Sequence, residues 1–427
     1  MFSIAPIIWL FALLALSVPV ALVMAVAGIG GLHSIGGWGM VESILATSPL
    51  TSASSYDFVT LPMFLLMAEF VLLSGVADDL FTAAAAWTGR LRGGLGMATT
   101  LAGAGFGAVC GTSTAAAATL SATTLPGMIR QGYRPDIASG VVAISGTLSM
   151  LIPPSVALVI YGVIADVSIG KLLVAGVMPA MLIVAVICLT IYVLALRNPE
   201  AVPSGEGVPM RERLRLLRVA GPVLFLFAFV TGTIYTGIAT PTEASALGAL
   251  AGMLLALGKG KLSADGLRRA LTRATYATCM ILLIIVGATI FGYFFTLTQL
   301  TQSLVSWVGG INAPAWAIVC LIMLIYVLLG CFMDQTAILI LTVPITVPLI
   351  MALGYDPVWF GVVVVVSAEV GMVTPPVGLN AFIVSRASGI PLQTVFRGLV
   401  PHIVAHALAL LLLILVPEIT LWLPGHM

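Results

Sequence analysis

The sequence predicts an all-α integral membrane protein: an inverted repeat with about ten to twelve transmembrane helices and two re-entrant hairpins. Three observations predict this fold. Hydrophobic residues make up 60% of the 427-residue chain and charged residues only 8%, against about 25% charged residues in soluble domains. The Pro and Gly spacing of one half recurs in the other, and Lys and Arg cluster in alternate loops.

Long apolar runs supply the transmembrane helices, because about 20 apolar residues cross a bilayer. Mean hydropathy is +1.18. The first run lacks a basic start and a convincing cleavage site, so we interpret it as a retained span and not a signal peptide. The net charge of +1 gives no indication of a nucleic-acid partner. The runs cover residues 4–26, 58–73, 172–196, 219–234, 274–295 and 394–416.

The repeat is visible in residues that constrain the backbone. Gly132-Tyr133-Arg134-Pro135 returns as Gly354-Tyr355-Asp356-Pro357, a shift of 354 − 132 = 222 positions. Since Pro and Gly restrict or free the backbone more than other residues do, shared spacing implies a shared path. The halves are residues 1–197 and 219–427, joined by a cytoplasmic linker, 198–218. The same shift relates Pro126 to Pro348, Pro153-Pro154 to Pro375-Pro376, Gly176 to Gly398 and Pro179 to Pro401.

The positive charges predict the topology. By the positive-inside rule their clusters lie in the cytoplasm, whereas the loops at 34–56, 237–242 and 352–357 contain no Lys or Arg and lie outside. The clusters are Arg90 with Arg92, Arg130 with Arg134, Arg197 with Arg211, Arg213, Arg215 and Arg218, and Lys259 with Lys261, Arg268, Arg269 and Arg273.

Residues 93–130 start and end on the cytoplasmic side and are rich in Gly, Ala, Ser and Thr. They form either two full spans or a re-entrant hairpin with its tip at Gly111-Thr112-Ser113. Small residues favour the hairpin, because they let shielded backbones approach closely. Its repeat partner, 314–351, would enter from the opposite face.

Each half therefore contains three helices, a hairpin, a broken helix and a closing helix. The broken helices are predicted at 136–165 and 358–386. Amphipathic segments at 77–90 and 298–308 are expected to lie along the interface.

The diproline pairs are the strongest local signal for a site. Two missing N–H groups leave carbonyls one turn earlier without partners, and in hydrocarbon each unpaired carbonyl costs several kcal/mol. Thr374 and Asn380 add a hydroxyl and an amide beside the second pair. Such neutral, hard oxygens suit Na⁺. The alternative is a proline kink without a ligand, but equivalent pairs in both halves favour a site.

Two acidic residues lie at predicted helix starts. Asp334, at the second hairpin tip, is either a functional carboxylate or a helix cap. Glu243 follows Pro241 and is interpreted as an N-terminal cap.

Other ionisable residues lie within apolar spans. Glu69 and Glu369 either pair with a hydroxyl or relay a proton. His402 and His406 are four residues apart without a third metal ligand, so a metal site is not expected.

Catalytic and nucleotide motifs are missing from the sequence. Nothing matches a Gly-rich phosphate loop, a nucleophile elbow or a zinc-protease helix. We therefore expect no enzymatic activity, and an ion gradient as the energy source. A channel or an intramembrane enzyme is disfavoured.

Several motifs together resemble the large membrane subunit of tripartite ATP-independent periplasmic (TRAP) transporters over essentially the whole chain. The resemblance implies a multi-pass protein of the bacterial inner membrane. It also implies Na⁺-driven uptake of a small organic anion, such as a dicarboxylate or a sialic acid, by an elevator domain moving against a scaffold. The motifs are Gly105–Ser113, Gly140–Ala143, Ile152–Ser155, Thr240–Ala244, Gly361–Val363, Thr374–Asn380 and Leu421–Pro424.

The resemblance also implies partners and site residues. The partners are a small four-helix membrane subunit and a periplasmic substrate-binding protein. The first Na⁺ site would comprise Gly111, Thr112, Ser113, Ile152, Pro153, Pro154 and Ser155. The second would comprise Gly330, Asp334, Thr374, Pro375, Gly378 and Asn380. Substrate would contact Thr112, Ser113, Ser155, Pro376 and Asn380.

One alternative function shares the hairpin-and-broken-helix pattern. The chain would then be a stand-alone Na⁺-coupled symporter of the divalent-anion class, working without a binding protein.

Overall fold

The structure, a computed structural model, describes residues 5–16, 18–205, 207–309 and 314–427. Over these ranges the chain is helical and contains no strand. Ile4, at the start of the first apolar run, and Glu206, in the predicted linker, lie outside the described residues.

The first half contains ten α-helices among the described residues. They are α1 (Ala5–Ala15), α2 (Val20–Ala53), α3 (Thr60–Leu73), α4 (Val76–Thr88), α5 (Gly94–Cys110), α6 (Ser113–Thr123), α7 (Leu125–Arg130), α8 (Pro135–Thr147), α9 (Val156–Ala165) and α10 (Ile169–Arg197).

The second half contains ten more in its described residues. They are α11 (Met210–Tyr235), α12 (Pro241–Gly258), α13 (Ala264–Leu297), α14 (Leu300–Gly309), α15 (Ala315–Gly330), α16 (Gln335–Ala352), α17 (Pro357–Met372), α18 (Leu379–Ser388), α19 (Leu392–Leu415) and α20 (Glu418–Leu421).

Seven helices in the described ranges are long and apolar enough to cross a bilayer, or eight if the bent pair α3–α4 counts as one span. Shorter apolar helices, including α9, α15 and α17, accompany them. The chain is therefore an all-helical, multi-pass membrane protein. The seven are α2, α10, α11, α12, α13, α16 and α19.

Helix boundaries recur at the shift found in the sequence. Helix α6 begins at Ser113 and α16 at Gln335, and α8 begins at Pro135 and α17 at Pro357. Both pairs of starts are 222 positions apart. The hairpin α5–α7 thus corresponds to α15–α16, and the broken helix α8–α9 to α17–α18.

Packing between the halves is reciprocal. Helix α6 packs against α18 while α16 packs against α9, and α8 packs against α19 while α17 packs against α10. Each contact therefore has a counterpart in which the halves are exchanged, which is consistent with an inverted repeat.

The broken helices form the centre of the molecule. Every residue of α8 from Ile137 to Thr147, and of α17 from Val358 to Met372, is buried. A helix that is apolar on all sides requires neighbours all round. Hairpins and closing helices supply them, so the diproline breaks lie within protein.

A close approach of α8 and α19 fixes this centre. A Cβ atom built on Gly140 would lie 2.4 Å from the carbonyl carbon of Gly398, and one on Gly398 only 1.8 Å from the Asp136 carbonyl oxygen. Only glycine permits backbones this close. The repeat glycine Gly398 thus has a packing role.

Two expectations about loops are corrected. The predicted external loop 34–56 is largely helical, because α2 continues to Ala53 and is interrupted only at Gly37, where φ is +65°. Helix α11 starts at Met210, so the basic residues Arg211 to Arg218 are helical as well. Helix propensity of this basic segment outweighs the Pro and Gly that precede it.

The helices form two groups. The scaffold comprises α1–α4 and α11–α14, in which α2 packs on α13 and α3 on α12. The hairpin group comprises α5–α10 and α15–α19. Helix α4, predicted as an interfacial amphipathic segment, bends by 69° from α3 and contacts α5 and α11.

Cavities lie along the boundary between scaffold and hairpin group. One of about 390 Å³ is lined by Ser52 and Thr289 on the scaffold side and by Ile164 on the other. Another of about 670 Å³ is lined by Phe227 of the scaffold and Pro153 of the hairpin group. Both cavities are open to the surface, so grooves separate the two groups along part of this boundary.

Candidate ion and substrate site

The first hairpin tip meets the first helix break. Gly111 has a φ of +64°, and a Cβ there would lie 2.8 Å from Val156 Cγ2 and 3.6 Å from the Pro154 carbonyl oxygen. A side chain at this position would therefore separate the two segments. The structure thus brings Gly111–Ser113 and Ile152–Ser155 together, as the first predicted set requires.

The second tip and break meet in the same way. The Gly378 N–H donates to the Cys331 carbonyl oxygen at 3.3 Å. A Cβ on Gly330 would lie 2.6 Å from the Ala368 carbonyl oxygen, so this arm also lies directly on its broken helix. The segments of the second predicted set are adjacent as well. Both diproline bonds are cis.

A contact joins the two junctions. The Ser113 hydroxyl of the first tip lies 3.8 Å from Met372 Sδ, which directly precedes the second break region. Sequence reasoning missed Met372. The signal was present, however, because the 222-residue shift pairs Met150 with Met372 upstream of the two diprolines.

Asn380 is the clearest free ligand group in the described part of the chain. Its side chain is 0% exposed, and neither amide atom has a hydrogen-bond partner. Buried polar groups are paired in the great majority of cases, so an exception requires an explanation. A bound cation or an anionic substrate would pair the oxygen or the NH₂ group.

The hydroxyls differ in availability. Thr112 precedes α6 without capping it and is half-buried. Thr374 Oγ1 donates to the Val370 carbonyl at 2.6 Å. Ser155 donates to the Met150 carbonyl and accepts from Leu158 N–H at 3.2 Å. The Ser155 hydroxyl therefore has a structural role. The Thr112 hydroxyl contacts only the Cys110 thiol among the described residues, at 3.6 Å, and a thiol is a weak partner that a ligand can replace.

The two junctions differ in exposure. Pro153 and Pro154 are buried, whereas Pro375 and Pro376 are exposed and Val377 is 41% exposed. The second junction is therefore accessible at the surface, whereas the first is enclosed by protein.

The acidic candidates outside the breaks have structural partners. The Asp334 carboxylate accepts from Thr336 N–H at 3.0 Å and caps α16. Glu243 forms a capping box with Thr240, which confirms the cap interpretation. Glu69 lies 3.8 Å from Arg273, a partner that the sequence did not indicate.

Glu369 meets one of the two histidines, and the other lies one turn away on the same helix. Glu369 Oε2 lies 3.7 Å from His406 Nε2. Over the described ranges, no group of three or more His, Cys, Asp or Glu side chains has an arrangement suited to a metal ion.

Comparisons with known proteins agree with this architecture. A family model described as "Tripartite ATP-independent periplasmic transporter, DctM component" matches residues 7–419. The chain is 34% identical to the C4-dicarboxylate TRAP transporter large permease protein DctM of Pseudomonas aeruginosa, covering 89% of each protein. It is 32% identical to the sialic acid TRAP transporter large permease protein SiaM of Vibrio cholerae, covering 89% of this chain and 88% of that one.

A solved structure shares the fold. The crystal structure of the Alcanivorax borkumensis YdaH transporter matches with a TM-score of 0.65 over 88% of each chain, at 14% sequence identity.

Proposed function

Because the chain belongs to the DctM family of TRAP transporter large permeases, we propose that it performs Na⁺-coupled uptake of a small organic anion. It is a multi-pass protein of the bacterial inner membrane. The anion is a carboxylate, which a periplasmic binding protein delivers and a small four-helix membrane subunit helps to transport. The observation that carries the proposal is the pair of tip–break junctions, joined through Ser113 and Met372.

Ion binding at the junctions follows from their chemistry. The prolines remove N–H partners from carbonyls one turn earlier. Those of Met150 and Gly371 accept instead from the Ser155 hydroxyl and the Thr374 N–H, so the carbonyls of Ser149 and Met372 are the ones available to an ion. Asn380 supplies an unpaired amide inside protein. A monovalent cation can bind to such neutral oxygens, so no negatively charged ligand has to be buried with it. An anionic substrate then binds between the junctions, near Thr112, Ser113 and Pro376.

The opposite orientation of the halves is supported by charge. Helix α8 begins beside Arg134, whereas the corresponding unit α17–α18 ends at Arg386. With both arginines in the cytoplasm, the broken helices run in opposite directions. Lys171, at the start of α10, is the exception to this pattern. Helix α8 has 13 residues, so its break lies about 20 Å from its cytoplasmic end, at membrane depth.

Uptake in proteoliposomes tests the proposal. We expect the purified chain, reconstituted with its small subunit, to accumulate the anion only when Na⁺ is higher outside and the substrate-loaded binding protein is present. Dissipating the Na⁺ gradient with an ionophore should stop uptake. Na⁺-driven uptake of free substrate at the full rate without binding protein would instead favour the stand-alone symporter. Uptake that ignores Na⁺ would contradict both proposals.

The grooves along this boundary support an elevator motion, in which the hairpin group slides along the scaffold. In a variant without its five native cysteines, Ile164→Cys on α9 and Thr289→Cys on α13 face the same cavity. We expect a short, cleavable thiol crosslinker between them to stop uptake and its cleavage to restore uptake.

A pair within the scaffold is the control for this motion. The Ser52 and Thr289 hydroxyls lie 3.3 Å apart, so crosslinked Ser52→Cys/Thr289→Cys should transport normally. Full uptake by a quantitatively crosslinked Ile164–Thr289 pair would contradict the elevator.

A further inference from the structure

Three ionisable side chains are buried inside the hairpin group, and two of them are close to each other. Glu369 on α17 and His402 and His406 on α19 are each 0% exposed. None of their carboxylate or imidazole heteroatoms has a hydrogen-bond partner, and Glu369 Oε2 lies 3.7 Å from His406 Nε2. The two histidines are four residues apart and so share a helix face. Because burying unpaired charge is costly, this cluster requires a reason.

The fold that the two halves share does not require these ionisable side chains. In the first half, the positions 222 residues earlier hold Thr147, Ala180 and Val184. The Thr147 hydroxyl is satisfied by the Ile144 carbonyl at 2.8 Å. The same helix packing is therefore built without ionisable groups, and the cluster is specific to the second half.

Neighbouring helices provide no compensating charge among the described residues. Charged side chains on the helices packed against α17 and α19 are solvent-exposed or half-buried and lie at helix ends. The two buried tyrosines on these helices form hydrogen bonds elsewhere: Tyr161 with the Pro357 carbonyl, and Tyr326 with Thr342 and Thr346. The cluster therefore has to balance its own charge. The other titratable groups on these helices are Asp136, Lys171, Cys188, Tyr192, Arg197, Cys320, Arg386, Arg397 and Glu418.

Charge balance favours the state in which the three side chains together bind one proton. With one proton shared by the three side chains, the cluster is neutral overall. With none it holds a buried negative charge, and with two a buried positive charge, both strongly disfavoured away from water.

We propose that Glu369, His402 and His406 bind one exchangeable proton, and that this proton competes with Na⁺ at the second junction. The competition rests on the proposed function. Glu369 lies in the last turn of α17, which ends at Met372, and the carbonyl of the next residue, Val370, accepts from the Thr374 hydroxyl of the break at 2.6 Å. A cation at the break favours the deprotonated cluster, and a protonated cluster in turn weakens cation binding, since linkage is reciprocal.

The Na⁺ dependence of uptake at two pH values tests the competition. Between about pH 8 and about pH 6, on either side of the ordinary histidine range, we expect the half-saturating Na⁺ concentration to rise about tenfold. Glu369→Gln is isosteric and cannot release a proton. Its half-saturating Na⁺ concentration should be high and should not change with pH. Glu69→Gln, a half-buried carboxylate of the scaffold, is the matched control and should retain the pH dependence.

Infrared difference spectroscopy of the purified protein tests the proton site without transport. Adding NaCl, with choline chloride as the ionic-strength control, should remove a protonated-carboxyl band in the wild type and leave Glu369→Gln unchanged. Size-exclusion profiles check that the variant is folded. A wild-type spectrum with no carboxyl band titrating with pH would overturn the site.

The outcomes separate this proposal from the proposed function. A protonated-carboxyl band that titrates with pH but does not change on addition of Na⁺ overturns the competition. The competition is also overturned if the half-saturating Na⁺ concentration of Glu369→Gln changes with pH as it does in the wild type. Na⁺-independent uptake contradicts the proposed function, and the pH titration of the band then still decides whether the proton site exists.

Discussion

Gly398→Ala is expected to destabilise the protein by about 3 kcal/mol or more, the upper end for overpacking of a dense core. The added methyl would lie 1.8 Å from the Asp136 carbonyl oxygen, and this neighbour is backbone that cannot rotate away. Helices α8 and α19 would have to separate, and with them the reciprocal packing of the two halves. Thermal unfolding in detergent measures the effect as a fall in Tm.

A matched control separates this clash from a general effect of the mutation. Gly292 lies inside α13, and a Cβ there meets nothing within 4 Å. Gly292→Ala should leave Tm unchanged or raise it slightly, since alanine is favoured over glycine in helices by about 1 kcal/mol. Equal Tm values for the two variants would contradict the backbone contact.

Backbone geometry was the most predictable part of the fold. Pro126, Pro153-Pro154 and Gly132 impose local conformations without help from distant residues, so their repetition predicted equivalent hairpins and breaks. The structure has those elements starting at the shifted positions. The fold class and the meeting of each tip with its break followed from the sequence.

Prediction from the local sequence pattern failed for features that depend on the rest of the structure. Polar and small residues after Ser34 resemble a loop, yet α2 continues to Ala53, although only Val41 and Ser48 of this stretch are buried. The Ser113–Met372 contact and the approach of Glu369 to His406 connect residues from different elements, and no periodicity encodes them.

The unequal exposure of the two junctions was also unpredictable. Pro153 and Pro375 are equivalent in sequence, but the first is buried and the second exposed. Exposure depends on which segments pack over each diproline, and these segments come from other parts of the chain. A repeated local sequence therefore cannot indicate which junction is exposed.

Asn380→Leu is expected to reduce Na⁺-driven uptake by about 10- to 100-fold, the loss of about 1.5–3 kcal/mol for one ligand interaction with a charged partner. The free energy of unfolding should rise or remain the same. The amide is buried without a partner, so leucine, an apolar side chain of similar size, removes an unsatisfied group. Asn198→Leu, at the exposed end of α10, is the control and should transport normally.

Equilibrium binding of radioactive sodium to the purified, folded chain tests the Na⁺ site at the tip–break junctions directly. We expect saturable binding by the wild type and by Asn198→Leu, and binding at least about tenfold weaker in Asn380→Leu and Thr112→Leu. Wild-type sodium affinity in both junction variants would contradict it.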